Sequence, residues 1–252
     1  MIKRFKKPLI FVLILIPIAI VGGYFTGIYS FDSSTPENQA LLLEQIGSRD
    51  MLNIIMAAQT VGYAVFCGFF GYILAEKLGL IRSFKLSKKP LLITLGLSVI
   101  VAGVVSALEY AVFCGAIPEV AASYVEKPTA ANWIASLTYG GVIEELMMRL
   151  FLMSLIAFIV WKLFYKKRES VPTGVLIGAN IAAAVLFAAS HLPSTVMMFG
   201  GITPLVLLRC FLLNVAGAVV FGRLYRKHGI QYAMIAHMLF HVVLKVSWIL
   251  FV

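Results

Sequence analysis

Long apolar runs separated by short polar loops dominate the hydropathy pattern of this chain. A helix needs about 20 apolar residues to cross the roughly 30 Å hydrocarbon layer of a bilayer. Runs of about that length or longer lie at approximately 8–29, 51–75, 90–116, 131–164, 172–191, 203–222 and 231–251. They predict an all-α polytopic transmembrane bundle of seven spans, or eight if the longest run is divided.

The longest run, 131–164, has two interpretations. As one α-helix at 1.5 Å per residue it would extend about 50 Å, well beyond the thickness of the bilayer. A break at Gly140–Gly141, preceded by a short surface piece, would remove the excess length. A single tilted helix that begins near Ala131 would instead carry Glu144 toward the middle of the membrane.

Composition agrees with a membrane protein and argues against a nucleic-acid-binding one. The chain has 252 residues, of which 61% are hydrophobic and 13% charged, against about 25% charged in a typical soluble domain. The formal net charge of +10 does not indicate nucleic-acid binding, because the basic residues lie in short clusters between apolar runs. The expected partners are therefore the lipid bilayer and whatever membrane-associated molecule the protein acts on.

The basic clusters also predict an orientation. Short cytoplasmic loops carry an excess of Lys and Arg. Placing the N-terminus inside puts 16 of the 21 basic residues in cytoplasmic segments, within 3–7, 77–89, 162–168 and 223–227. The first apolar run is longer than the core of a signal peptide, so we expect a retained span. These features predict an integral protein, of a bacterial plasma membrane, with a cytoplasmic N-terminus.

Several charged or strongly polar side chains fall inside the apolar runs, where each costs at least a few kcal/mol on insertion scales. Such residues usually face the protein interior and mark a function. They are Glu109, Glu144, Glu145, Arg149, His191, Arg209, His237, His241 and Lys245.

Two adjacent glutamates on the fourth run are not equivalent. Glu145 and Arg149 are four residues apart, so they share a helix face in the favourable acid-before-base order and can neutralise each other. Glu144 points about 100° away and lacks that partner. It is the better candidate for a general base. A helix-packing ion pair with a polar neighbour is the alternative interpretation.

Three histidines accompany the glutamates. His191 ends the fifth run just before Pro193, while His237 and His241 project from one face of the last run. An i, i+4 histidine pair can bind a metal ion or donate two hydrogen bonds to an oxyanion, although it can also be a packing pair. Since all these groups need polar partners, we expect them to meet in one hydrated cavity suited to peptide hydrolysis.

These residues resemble the motifs of the CAAX protease and bacteriocin-processing family of intramembrane proteases. The family has a Glu-Glu-x-x-x-Arg helix, a Phe-x-x-x-His helix and a later His-x-x-x-Asn or similar helix. In this chain the motifs are Glu144–Arg149, Phe187–His191 and His237–His241, in the same order and with the same spacing. The motif agreement favours the long tilted helix for 131–164, because Glu144 then reaches the depth of the histidines.

The resemblance implies roles for these residues. Glu144 and His191 would activate a water for attack on the scissile carbonyl, and His237 with His241 would stabilise the oxyanion. Glu145 and Arg149 would support the site. The family has been described both as glutamate-dependent hydrolases and as metalloproteases. The mechanism that we favour requires no cofactor, whereas the alternative is a zinc ion held by Glu144, His191 and His237.

The expected domain division follows the motifs. Residues 1–130 form an N-terminal region of three spans, and 131–252 form the catalytic core. The expected substrate is a membrane-associated protein or peptide. In the eukaryotic branch the substrate is a prenylated CAAX protein, but nothing in this sequence implies prenylation. The alternative function is a non-hydrolytic transporter, bacteriocin immunity factor or scaffold, to which the unassigned Glu109, Arg209 and Lys245 would contribute.

Overall fold

The structure is a computed structural model that describes the backbone of residues 2–251 and the side chains of residues 5–250. The side chains of Lys3 and Arg4, which contribute to the predicted orientation, lie outside the described residues. Within this part of the chain the helices are α1 (Ile2–Asp32), α2 (Pro36–Ile46), α3 (Arg49–Lys77), α4 (Lys88–Ala116), α5 (Pro118–Ser123), α6 (Ala130–Phe164), α7 (Thr173–Ser190), α8 (Leu192–Phe199), α9 (Pro204–His228) and α10 (Ile230–Phe251).

Seven helical segments are long and apolar enough to cross a membrane. Helices α1, α3, α4, α6, α9 and α10 each supply one span, while α7 and α8 together make the fifth, Thr173–Phe199. No strand occurs between residues 2 and 251. The prediction of an all-α polytopic bundle is confirmed, with seven spans rather than eight. The side that each end faces stays a prediction from the loop charges.

Helix α6 is undivided, so the expected alternative of a break at Gly140–Gly141 is wrong. It runs through 35 residues, and its middle is π-helical over Ser136–Glu144 and Leu146–Met153. The i→i+5 hydrogen bonds of a π-helix enclose more residues per turn than those of an α-helix. The helix is therefore shorter than the 50 Å that an α-helical rise would give, which removes the reason for a break.

The glycine pair serves close packing instead. A Cβ added at Gly140 would lie 2.8 Å from Nε2 of His241, and one added at Gly141 would overlap the Met238 side chain. Because glycine has no Cβ, α10 can approach α6 closely at this level. The glycine pair therefore marks a close contact between two helices and not the end of a helix.

The fifth span continues past its expected end near residue 191. Helix α7 does end at Ser190, and His191 forms a turn. Pro193 then lies in the first turn of α8, where its missing N–H is not needed for a helical hydrogen bond. His191 consequently lies within the fifth apolar segment, Thr173–Phe199, at a break in the helix and not at the end of the segment.

Helix α6 forms the centre of the bundle. Ile143, Leu146, Leu150 and Met153 are completely buried along it. They belong to one apolar cluster with residues of α1, α3, α4, α7, α9 and α10. The residues of α6 that bear the glutamates are therefore held by packing on several sides.

Contact between α1 and α3 depends on small residues. A Cβ added at Gly23 would lie 2.7 Å from Cα of Ala57, so the two backbones touch. In contrast, a Cβ added at Gly103 of α4 would have no heavy atom within 4 Å.

We expect Gly23→Ala to lower the stability of the protein by about 1–3 kcal/mol, because the two helices must separate to admit the methyl group. Thermal unfolding of the purified protein in detergent measures the change. Gly103→Ala is the matched control and should be neutral or slightly stabilising, since alanine favours a helix over glycine. Equal unfolding temperatures for the two variants would contradict the close α1–α3 contact.

Candidate active site

A cavity of about 790 Å³ lies inside the bundle and brings together the four side chains predicted to be catalytic. Glu144, His191, His237 and His241 all line it. Residues of α1, α3 and α4 contribute to its wall as well, including Tyr29, Tyr63 and Glu109. The N-terminal spans therefore form part of the enclosure around the motif residues.

Glu144 occupies a space between two imidazoles. Its Oε1 is 4.0 Å from Nε2 of His191, and its Oε2 is 3.9 Å from Nε2 of His237. Both separations are too long for direct hydrogen bonds. Its side chain is 17% exposed, whereas the neighbouring Glu145 is fully buried. The two glutamates therefore differ in burial and in partners, as their positions on different faces of the helix predict.

The ring orientation of His191 is fixed by the backbone. Nδ1 lies 2.8 Å from the carbonyl oxygen of Phe187, one turn earlier. A carbonyl only accepts hydrogen bonds, so Nδ1 carries the proton and a neutral ring has its lone pair on Nε2. That lone pair faces Glu144 across the 4.0 Å gap.

Glu145 contacts two partners on different helices. Its Oε1 is 2.9 Å from Nη1 of Arg149 and accepts a hydrogen bond from Nδ1 of His237 at 2.8 Å. The ion pair with Arg149 agrees with the i, i+4 spacing. The bond to His237 was not foreseen, because it depends on how α6 and α10 pack and no spacing along the chain reveals it.

Two aromatic rings cover the Arg149 guanidinium. Its central carbon lies 4.9 Å from the Phe187 ring centroid and 5.5 Å from that of Phe221. Its side chain is only 2% exposed, and the terminal nitrogens have no directed hydrogen-bond partner among the described residues. The cation is held by the charge of Glu145 and by cation–π attraction, which strengthens when water is excluded.

His237 is enclosed by two further rings. It stacks on Phe221 with centroids 4.6 Å apart and on His241 at 4.8 Å. With Nδ1 bound to Glu145, the ring has little freedom to rotate. His241 lies next to Gly140 of α6, and both residues line the cavity.

Another ion pair lines the cavity away from these motifs. Nε of Arg209 donates to Oε2 of Glu109 at 2.9 Å, and the hydroxyl of Tyr124 donates to Oε1 at 2.9 Å. The glutamate is 4% exposed. Two of the three residues that the sequence left without a role, Glu109 and Arg209, therefore neutralise each other.

The side-chain positions do not fit a zinc ion. Two ligands on a tetrahedral zinc, each about 2.0–2.1 Å from it, lie about 3.3 Å apart. The two histidines stand 3.9 and 4.0 Å from the Glu144 oxygens. In the described part of the chain, no three His, Cys, Asp or Glu side chains are grouped as metal ligands.

Substitution of Arg149 tests how much the buried ion pair with Glu145 contributes to the stability of the protein. We expect Arg149→Met to destabilise the protein by about 3–5 kcal/mol, because Glu145 then keeps a carboxylate without its cation. The double variant Glu145→Gln/Arg149→Met should recover much of that loss. Thermal unfolding in detergent measures both. Strictly additive effects of the two substitutions would contradict the coupling.

Comparison with known protein families agrees with the motifs. Residues 126–243, slightly less than half of the chain, match the family model described as type II CAAX prenyl endopeptidase Rce1-like. The matched segment runs from just before α6 into α10 and contains all three motifs. The predicted resemblance is confirmed. No curated protein and no solved structure matches the chain.

Proposed function

We propose that this chain, whose residues 126–243 match the Rce1-like type II CAAX prenyl endopeptidases, is a protease of that family. It would hydrolyse peptide bonds of membrane-associated proteins or peptides with a water activated by Glu144 and His191. The family supports intramembrane protease activity of the CAAX type. The seven apolar spans support action within the bilayer. The roles of individual residues are part of the proposal.

The distance between the side chains of Glu144 and His191 is the main observation behind this proposal. Oε1 and Nε2 are 4.0 Å apart, and both atoms are acceptors when the carboxylate is ionised and the ring is neutral. One water, about 2.8 Å from each atom, would satisfy both by donating its two hydrogens. Such a water has its oxygen lone pairs free to attack a carbonyl carbon placed in the cavity.

Glu144 acts as the general base in this mechanism. It takes a proton from the water as the water oxygen bonds to the scissile carbonyl carbon, and a tetrahedral oxyanion forms. The protonated carboxyl then gives that proton to the departing amine when the carbon–nitrogen bond breaks. His191 holds the second hydrogen of the water and so aligns its lone pair.

His237 and His241 support the oxyanion. Nδ1 of His237 donates to Glu145, so Nε2 can donate to an oxyanion only when the ring carries both protons. The Glu145 carboxylate offsets the positive charge of that ring and holds its orientation, as the buried carboxylate of a catalytic triad does for its histidine. Arg149 pairs with the Glu145 carboxylate and holds it in place.

The transport alternative rested on Glu109, Arg209 and Lys245 as ionisable groups without an explanation. Glu109 and Arg209 pair with each other, and Tyr124 donates to the same glutamate, as in a structural ion pair. Two of the three residues thus have a structural explanation, so we favour hydrolysis.

Substitution of the proposed base tests the hydrolytic function. We expect Glu144→Gln and His191→Ala to reduce cleavage on the order of 10²–10⁴-fold, because each removes a group that handles the proton or positions the water. Substrates can be found by comparing cleaved peptides in membranes of cells that express the wild type or Glu144→Gln. Rates are then measured with purified, reconstituted protein.

Glu169→Gln is the matched control, since Glu169 is exposed in the loop between α6 and α7. It should cleave at the wild-type rate. Unfolding temperatures of all variants should stay close to that of the wild type. Full cleavage by reconstituted Glu144→Gln would refute Glu144 as the base.

A second test concerns the metal. We expect the purified protein to keep its activity after exhaustive treatment with a chelator and to contain well under one equivalent of zinc, because its ligand positions are too wide for zinc. Metal content is measured by mass spectrometry and activity on the same sample. Loss of activity that zinc restores would show instead that the ligands close around a metal.

A further inference from the structure

A groove of about 340 Å³ lies where the start of α4 meets the end of α9, and it shares no lining residue with the cavity of the candidate active site. Ile93, Leu97, Arg223, Leu224, Lys227 and His228 line it. Ile93 and Leu97 are one turn apart on α4, and Arg223 and Lys227 are one turn apart on α9, so each pair shares a helix face. The groove therefore presents apolar side chains and cations next to each other.

The cations of this groove have no acidic partner. The side chains of Arg223 and Lys227 are exposed, and among the described residues no Asp or Glu oxygen lies within 4.0 Å of their charged nitrogens. The two segments that meet here, 77–92 and 222–232, contain no acidic residue. Arg82 adds a further cation, since a Cβ added at Gly229 would lie 3.1 Å from the Cβ of Arg82. This positive charge is suited to an anion from outside the protein.

Hydrogen bonds between loops hold these cations on one surface. The backbone N–H of Ser87 donates to the Tyr232 hydroxyl at 2.8 Å, and Nε2 of Gln231 donates to the carbonyl oxygen of Ser83 at 2.7 Å. They attach the loop between α3 and α4, which carries Arg82, to the start of α10. The charged surface is therefore formed before any ligand binds.

The depth of Arg223 indicates where the anion lies. A basic residue in a loop is enough to orient a membrane protein, but Arg223 lies within the apolar segment Pro204–His228, about 8 Å along the helix from its end. A long cationic side chain at such a depth reaches the headgroup region, while its methylene groups cover apolar surface. Ile93, which is 38% exposed, lies beside it in the same groove. A ligand that combines a phosphate with a hydrocarbon chain fits both features.

We propose that this groove binds one anionic phospholipid of the leaflet next to the basic loops. Its phosphate contacts Arg223, Lys227 and Arg82, and an acyl chain lies along Ile93 and Leu97. Basic pockets between transmembrane helices bind anionic headgroups through the same combination of charge and apolar surface. A zwitterionic lipid fits less well, because its headgroup carries a cation of its own. The site is separate from the residues proposed for hydrolysis and does not depend on that function.

Binding is measured with the full-length protein, purified in detergent and freed of lipid. Phosphatidylglycerol and phosphatidylcholine with identical acyl chains are titrated in turn, and native mass spectrometry counts the lipids that each protein retains. The wild type should bind one phosphatidylglycerol about tenfold or more tightly than phosphatidylcholine, because each nearby basic residue strengthens the attraction to an anionic lipid roughly fivefold.

Paired substitutions locate the site. Arg223→Gln/Lys227→Gln should bind the two lipids with similar affinity, whereas Arg223→Lys/Lys227→Arg should keep the preference because both charges remain. Lys166→Gln/Lys167→Gln is the matched control, since it removes two exposed cations from the loop between α6 and α7. It should behave as the wild type does. Equal unfolding temperatures of all variants in lipid-free detergent would show that the loss of binding is not a loss of folding.

Two results would overturn the lipid site. The first is equal affinity of the wild type for both lipids. The second is a preference that persists in Arg223→Gln/Lys227→Gln or falls equally in Lys166→Gln/Lys167→Gln, which would show general attraction to a basic surface.

Soluble glycerol phosphate separates a lipid site from a phosphate site. A large excess of it should leave the bound phosphatidylglycerol in place, because glycerol phosphate has no hydrocarbon chain to contact Ile93 and Leu97. Displacement of the lipid would show a site for free phosphate and contradict the proposal.

Discussion

The contact on which this structure depends is the one between Glu145 and its two partners. A carboxylate removed from water is stable only when it is paired, and Glu145 is paired with Arg149 on its own helix and with His237 on α10. The cation is covered in turn by Phe187 of α7 and Phe221 of α9. One buried charge therefore sets the relative positions of four spans.

Backbone irregularities make this convergence possible. The π-helical turns of α6 concentrate Gly140, Glu144 and Glu145 near the middle of a helix that would otherwise be too long. The glycine pair lets α10 come close enough for His237 to reach Glu145. The turn at His191 then brings a third side chain to the same level. Each irregularity weakens a regular helix, and each lies beside the cavity.

The features that the sequence predicts correctly are those that depend on interactions between residues close together in the chain. Seven apolar runs predict seven spans because the bilayer requires a length, and the spacing of Glu145 and Arg149 predicts their pairing because a helix fixes it. The bond from His237 to Glu145 joins residues 92 positions apart, and its geometry depends on packing that no period reveals. The continuation of the fifth span to Phe199 was missed because Pro193 begins a helix as readily as it ends one.

The location of His237 and His241 on the last span has a consequence for biogenesis. Spans enter a membrane in order during synthesis, and until α10 is inserted Glu145 has only Arg149 as a partner, while Glu144 faces a single imidazole. The proposed arrangement of acid, water site and oxyanion support is therefore incomplete until α10 is inserted. On the proposed function, a bundle that lacks its last span would have no hydrolytic site.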